Sequence, residues 1–308
     1  MMLQGHFIDT LLAIEYRDPD NIAYSTWLYF RGITAPVFFT ISGLIFTYLL
    51  IKAKEKGTLS IRIRKGLVRG LMLIGIGYAL RIPIFRWLTG KFGTYFMVID
   101  VLQCIGLSLI LIVSIYLLAR KKTLIFSVVM LCLGTLIFLC EPLFRTYSAE
   151  RIPLFFANYL TKVNGSVFTI LPWFGYMAYG AFIATLFYGY LTRPKFKTGL
   201  ITGFFVTGLI LVYGSTPVFL ELAKLINWTL LTEVANFNYL FIRLGNVLVI
   251  FGLFYAFEDY LKQPVVLIIG QKTLSIYVIH FILLYGSFTG LGLNQILGKV
   301  LTPFEVVF

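Results

Sequence analysis

Of 308 residues, 59% are hydrophobic and only 13% charged, and the mean hydropathy is +0.90. A soluble domain carries roughly 25% charged residues, so this chain has too little polar surface to face water, and a water-soluble globular fold is excluded. The net charge of +13 would point to nucleic acid on a soluble protein. Here the basic residues cluster in short connections between apolar runs, where membrane orientation accounts for them, and no nucleic-acid partner is expected.

The apolar runs are continuous rather than alternating, and several reach the roughly 18 to 20 residues that a helix needs to cross hydrocarbon. An all-α, polytopic transmembrane helix bundle is predicted, because helices satisfy every backbone group without water. The first apolar stretch, residues 1–15, is too short to span and lacks the basic start and cleavage site of a signal peptide. It reads as the outer half of a helix. Eight full spans follow, at residues 27–51, 67–88, 97–119, 123–140, 167–191, 199–218, 239–257 and 274–291. At the end of the chain Thr302, Pro303 and Glu305 form a helix-start signal with apolar residues just beginning. A further span is therefore expected beyond Phe308, and both ends read as cut. No period of 20 to 50 residues and no linker divides the chain, so residues 1–308 are expected to be one domain.

Lys52, Lys54, Lys56, Arg62, Arg64, Lys65 and Arg69 stand against the single acid Glu55, and Arg120-Lys-Lys122 and Arg193/Lys195/Lys197 recur two and four spans later. The positive-inside rule places all three groups in the cytoplasm and residues 16–26, 90–96, 142–165 and 215–238 outside. Thirty Phe and nineteen Tyr suit lipid-facing and interfacial positions, and 27 Gly suit close helix packing. Cys104, Cys132 and Cys140 form no CxxC and no even-numbered framework; packing is their expected role.

Ionisable side chains at membrane depth are few: His6, Asp9, Arg31, Arg81, Asp100, Arg243 and His280. Each costs about 2.5 to 3.5 kcal/mol at a helix centre on insertion scales, so each needs a partner or a wet cavity. His6 and Asp9 are three apart and share a helix face, where a carboxylate can hold an imidazole's tautomer in a general-base arrangement. The alternative is an interfacial Asp beside a histidine bonded to a neighbouring helix. His280 lies in the nearly all-apolar stretch Leu274-Ser-Ile-Tyr-Val-Ile-His-Phe-Ile-Leu-Leu284, where a structural hydrogen-bonding role is expected. Arg31, Arg81 and Arg243 either snorkel or line a pocket for an anionic ligand. No Walker-type Gly loop and no zinc-ligand spacing occurs, so ATP-driven pumping and a metal site are not expected.

Several segments resemble a known family: Gly5-His-Phe-Ile-Asp9, Arg31-Gly-Ile-Thr-Ala-Pro-Val-Phe-Phe-Thr-Ile-Ser-Gly43, Val101-Leu-Gln-Cys-Ile-Gly106 and Gly270-Gln-Lys-Thr-Leu-Ser-Ile-Tyr-Val-Ile-His280. The resemblance is to the bacterial relatives of heparan-α-glucosaminide N-acetyltransferase, within the transmembrane acyltransferases. It implies transfer of an acyl group, expected to be acetyl, from an acyl-CoA to a hydroxyl or amine, commonly on a sugar. By the same resemblance His6 is the catalytic histidine, as general base or transient acyl carrier, and Asp9 its orienting partner. The donor- or acceptor-binding candidates are Arg31, Arg81 and Arg243, chosen on charge, with Asp100, Gln103 and His280. The resemblance implies no permanently bound cofactor, with acyl-CoA as co-substrate. Expected partners are membrane lipids, acyl-CoA and a small-molecule or glycan acceptor, with a homo-oligomer left open. The expected location is multi-pass in a bacterial cytoplasmic membrane. A secondary transporter or flippase, using buried Arg, Asp and His, is the competing reading; a structural or sensory subunit is the third.

Overall fold

The computed structural model describes residues 2–307. The helices that frame the description, in chain order and leaving aside shorter connecting ones, are α1 (Met2–Leu11), α2 (Ile22–Glu55), α3 (Leu59–Ala79), α4 (Val101–Leu118), α5 (Thr123–Leu139), α6 (Ile170–Tyr190), α7 (Phe196–Ile226, with a π-helical turn at Ile210–Gly214), α8 (Tyr239–Ala256), α9 (Pro264–Gln271), α10 (Thr273–Tyr285) and α11 (Pro303–Val307). Among the described residues the only strand-like pairing is one bridge, Leu12 to Leu301. The protein is an all-α membrane bundle.

Local chemistry sets the helix ends. The Asn21 side chain accepts from the Ala23 and Tyr24 amides and starts α2. The Asp100 side chain and Gln103 form a capping box at the start of α4. Gly57, with φ +66, turns the chain between α2 and α3, and Gly286, with φ +65, stops α10.

Five helices are long and apolar enough to cross a membrane, namely α2, α4 (with the preceding turn from Thr94), α6, α7 and α8. The pair α9–α10, bent by 61°, makes a sixth if it counts as one span. Eight were expected, and the differences have local causes. α3 starts at Leu59, so Arg62, Arg64, Lys65 and Arg69 ride on a helix and not in a loop; Arg and Lys are good helix formers, and only residues 56–58 form the turn. Pro83 ends that run early, since a proline disfavours helix in the residue before it, and a separate short helix follows at Ile84–Leu88. α5 is apolar but has 17 residues.

The chain packs as two compact units. The first comprises Met1–Ala35, Tyr78–Met97 and Phe257–Phe308; the second comprises Pro36–Gly77 and Val98–Ala256. The boundary inside α2 falls at Pro36, which lacks the N–H that would bond the Gly32 carbonyl.

Small residues let helices of the second unit approach. A methyl group at Gly43 would strike the Met177 carbonyl of α6, and one at Gly180 would strike the Thr40 carbonyl of α2. A Cβ at Gly70 of α3 would lie 2.8 Å from the Gly106 carbonyl of α4. Without a hydrophobic force between helices in lipid, such close backbone contact is how they associate. Around these seams lies an aromatic core in which Phe138 meets Tyr176, Tyr179 and Phe241.

In the first unit, Ile8, Leu11 and Leu12 of the α1 end, Leu284 of α10 and Val306 of α11 form a core. Backbone bonds reinforce it, from the Ala13 amide to the Leu301 carbonyl (2.9 Å) and from the Leu301 amide to the Leu11 carbonyl (3.0 Å). Arg17 closes the end of α1: its guanidinium donates to the carbonyls of Ile8, Asp9 and Leu12 at 3.2, 3.0 and 2.8 Å. These carbonyls lie in and just after the last turn, where a helix runs short of internal donors; the Ile8 carbonyl also accepts from the Leu12 amide.

Candidate functional site

Five of the eight residues singled out from the sequence, His6, Asp9, Arg31, Arg81 and His280, belong to the first unit. α1 presents His6 to the buried face of α10, where Tyr277, His280, Phe281 and Leu284 recur at helical spacing. The His6 and His280 rings lie 5.1 Å apart, tilted by 34°. Tyr277 meets His280 edge-on at 5.1 Å, and Phe281 meets Tyr285 at 4.7 Å. The result is a short aromatic column with two imidazoles in it.

Each ring has an identifiable anchor. His280 is 2% exposed, and its Nδ1 lies 3.0 Å from the Ile276 carbonyl. A carbonyl only accepts, so Nδ1 carries the proton and Nε2 is the lone-pair nitrogen of neutral His280. The Nδ1 of His6 lies 3.1 Å from the Tyr285 hydroxyl, which is also 3.4 Å from the Thr10 hydroxyl. Asp9 directs its carboxylate to the Arg31 guanidinium as an ion pair, with the two side chains 30% and 43% exposed. Asp9 was expected to orient the His6 ring; the structure places Tyr285 at the His6 Nδ1 and Arg31 at Asp9. Gly5 sits under this pair, where a Cβ would meet Arg31 Cγ at 3.6 Å.

Arg81 is half-buried, with its guanidinium over the rings of Tyr95 (5.1 Å) and Phe281 (5.8 Å). Cation–π contacts of this kind offset part of the desolvation of a guanidinium. The arginine thus stands against the residue that follows His280.

Asp100, Gln103 and Arg243 belong to the second unit. The Asp100 carboxylate accepts from the Val101 amide (2.8 Å), and the Gln103 carbonyl oxygen accepts from the Asp100 amide (3.2 Å). Gln103 is fully buried and fills the space left by Gly77. Both side chains are thereby engaged in starting α4. Arg243 stands over the Tyr239 ring at 5.4 Å, one turn away on α8. In the same unit, Arg145 forms a two-pronged pair with the buried Glu141 carboxylate (Nε to the two oxygens at 2.9 and 3.0 Å). That hydrogen-bonded carboxylate holds the Arg145 guanidinium above its usual range.

Sequence reasoning missed Tyr285, Thr10 and Arg17. Tyr285 had a usable signal: a hydroxyl at the end of an apolar helix must find a partner when it is buried. Arg17 had none, because only the fold brings it back to α1. Among the described residues no group of three or more His, Cys, Asp or Glu is placed to hold a metal.

These features define a polytopic helical membrane protein whose first unit assembles two histidines, a tyrosine and an Asp–Arg pair. Residues 1–222 match the family described as heparan-alpha-glucosaminide N-acetyltransferase, catalytic. The chain belongs to that family, an acetyltransferase-type family of integral membrane proteins. No curated protein and no solved structure matches it.

Proposed function

We propose that the protein moves an acyl group, most simply acetyl, from an acyl-CoA to a hydroxyl or amine acceptor, with His6 as the general base. The family match supports an acyl-transfer chemistry, and the observation that carries the role of His6 is its anchored Nδ1, 3.1 Å from the Tyr285 hydroxyl. An imidazole fixed at one nitrogen can present the other to a substrate in a defined direction.

The steps balance without a metal. His6 Nε2 takes the proton of the acceptor O–H or N–H as that atom attacks the thioester carbonyl. The C–S bond breaks from the tetrahedral intermediate, and the CoA thiolate leaves with the proton that His6 held. In the covalent variant, His6 Nε2 attacks the thioester carbonyl and the C–S bond breaks to release CoA thiolate; the acceptor then attacks the acyl-imidazole, the N–C bond breaks to restore His6, and the acceptor's proton goes to the thiolate. Arg31 is neutralised by Asp9, which leaves Arg81 as the better candidate within the first unit for donor phosphates. A sugar acceptor and acyl-CoA as donor are part of this proposal.

Twenty uncharged residues, Gly32 to Ile51, separate Arg31 from Lys52 along α2, about 30 Å of helix. That matches one hydrocarbon thickness. With the Lys52 end cytoplasmic by the positive-inside rule, the Asp9–Arg31 pair marks the outward end of α2.

The test is release of free CoA thiol by detergent-solubilised protein given acetyl-CoA and a panel of amine and hydroxyl acceptors, paired with isothermal titration of acetyl-CoA. Acceptor-dependent thiol release that His6→Ala abolishes supports the reading. Binding without turnover on any acceptor overturns it. The bent pair α9–α10 favours one second reading, because transporters place substrate at broken helices. That reading requires flux of an unmodified solute in vesicles and no thiol release.

A further inference from the structure

We propose that Tyr285 is a positioning residue that holds His6 in its Nδ1–H tautomer, with Thr10 receiving the tyrosine's own proton. His6 Nε2 is thereby left as the basic nitrogen. The inference rests on the reading of His6 as the base and names the group that aims it. Tyr285 lies beyond residues 1–222, so the family match does not touch it.

The Tyr285 oxygen lies 3.1 Å from His6 Nδ1 and 3.4 Å from Thr10 Oγ1. A hydroxyl offers one proton and two lone pairs, and neutral imidazole offers one donor and one acceptor nitrogen. Two arrangements satisfy these contacts. In one, Tyr285 donates to Nδ1, which puts the proton of neutral His6 on Nε2, so that this nitrogen has no lone pair with which to act as a base. In the other, His6 Nδ1–H donates to Tyr285, Tyr285 O–H turns to Thr10, and Nε2 keeps its lone pair.

Protonation separates the two. Once His6 accepts a proton both ring nitrogens are donors, so Tyr285 must be an acceptor. Only the second arrangement survives that step with no hydroxyl turning round, and a site that needs no reorganisation as charge develops is the better catalyst. A phenol is neutral, so it orients the ring without adding the charge that a carboxylate would supply.

The surroundings hold the donor and acceptor in place. Gly286 ends α10 immediately after Tyr285, and its amide bonds the Ile282 carbonyl at 2.9 Å. Leu284, fully buried, ties that end of α10 into the core with Ile8 and Leu11 of α1. Thr10 is 7% exposed on α1, one turn from His6. The His280 ring bounds the other side of His6.

The chain has two histidines, so ¹⁵N NMR of the full protein labelled at histidine contains only two rings. At neutral pH the wild type should show one His6 nitrogen protonated and one bare, assigned as Nδ1–H by coupling within the ring. Tyr285→Phe and Thr10→Val should both move His6 toward the Nε2–H tautomer. Both should also lower kcat for acyl transfer, roughly three- to tenfold for a single neutral hydrogen bond, with KM for acetyl-CoA unchanged. Thr10→Val keeps the aromatic column intact and decides the matter if Tyr285→Phe does not fold. An unaltered nitrogen pattern in the variants, or an altered pattern with kcat unchanged, overturns the proposal. If His6→Ala retains transfer, the base reading fails instead, and the nitrogen pattern alone decides whether Tyr285 sets the tautomer.

Discussion

The two units handle the same problem, polar groups in a chain built for hydrocarbon, in opposite ways. In the second unit polar side chains mostly close on their own helix or the adjacent one: Asp100 and Gln103 cap α4, Ser127 meets Thr185 at 2.7 Å, and Thr135 meets Tyr179 at 2.8 Å. Helices there pack through Gly43, Gly180, Gly70 and Gly106. In the first unit some polar contacts reach across the chain: His6 and Tyr285 are 279 positions apart, and Thr10 and Tyr285 are 275. On the proposed reading the candidate site lies in the unit assembled from segments far apart in the sequence, and the close glycine seams lie in the other. A framework tolerates no misfit but needs no particular proton; a site needs the proton and draws its groups from wherever the fold delivers them.

The largest effect that distinguishes the units is on catalysis. His6→Ala should lower acyl transfer by roughly 10² to 10⁴, the contribution of a positioned base, with little change in the thermal unfolding midpoint. His280→Ala should lower stability first, because it opens a hole in the buried column beside Tyr277. Equal loss of transfer for both variants, with both folded, would mean that the two imidazoles act as one unit.

Gly180→Leu should act the other way. Its side chain has no room beside the Thr40 carbonyl, and overpacking costs about 1 to 3 kcal/mol, occasionally more. Thermal unfolding in detergent should show the lowered stability, while kcat per folded molecule stays near wild type. A specific loss of kcat without loss of stability would break the division between framework and site.

A smaller effect is expected at Asp100. Removing the N-cap by Asp100→Ala should cost about 1 kcal/mol of stability and leave the KM for acetyl-CoA unchanged. A raised KM at unchanged stability would return Asp100 to the ligand-binding set, against its capping geometry.

The smallest concerns Glu305. Bonds from the Thr302 amide and hydroxyl hold its carboxyl below the usual range. A carboxyl whose folded pKa is depressed supports the fold above its unfolded pKa, near 4.5, and that support fades as pH falls through the lower, folded value. Carboxyl ¹³C titration should find Glu305 titrating low in the wild type and returning toward its ordinary value in Thr302→Val. Limited proteolysis should find the α11 end more easily cut in strong acid. An ordinary titration in the wild type would remove the capping box.

Much of the fold was legible because it depends on near neighbours in the sequence. Composition excluded water as the solvent, continuous apolar runs specified helices, and Thr302, Pro303 and Glu305 marked the start of α11. Charge runs mislead about helix ends, since the basic residues of the Lys52–Arg69 connection suggest a loop although Arg and Lys support helix. Asp100 enters the candidate site by the rarity of ionisable groups at depth and Gln103 lies in a segment that carries the family resemblance, whereas spacing of three between an acid and a glutamine already spells a capping box.

The sequence by itself determined the solvent, the helical class, the scarcity of ionisable groups and the nearness of His6 to Asp9 on one helix face. Spacing on a helix establishes neighbours three and four positions away and nothing farther. Only the tertiary structure decided that Asp9 pairs with Arg31, that Tyr285 meets the Nδ1 of His6, and that the His280 ring lies beside it. The Asp9–Arg31 pair joins residues 22 positions apart, and the contacts of His6 with Tyr285 and His280 join segments separated by most of the chain. They exist because burying the apolar faces of α1, α10 and α11 together brings their few polar tips to one place, where each must find a partner or bear the cost of desolvation.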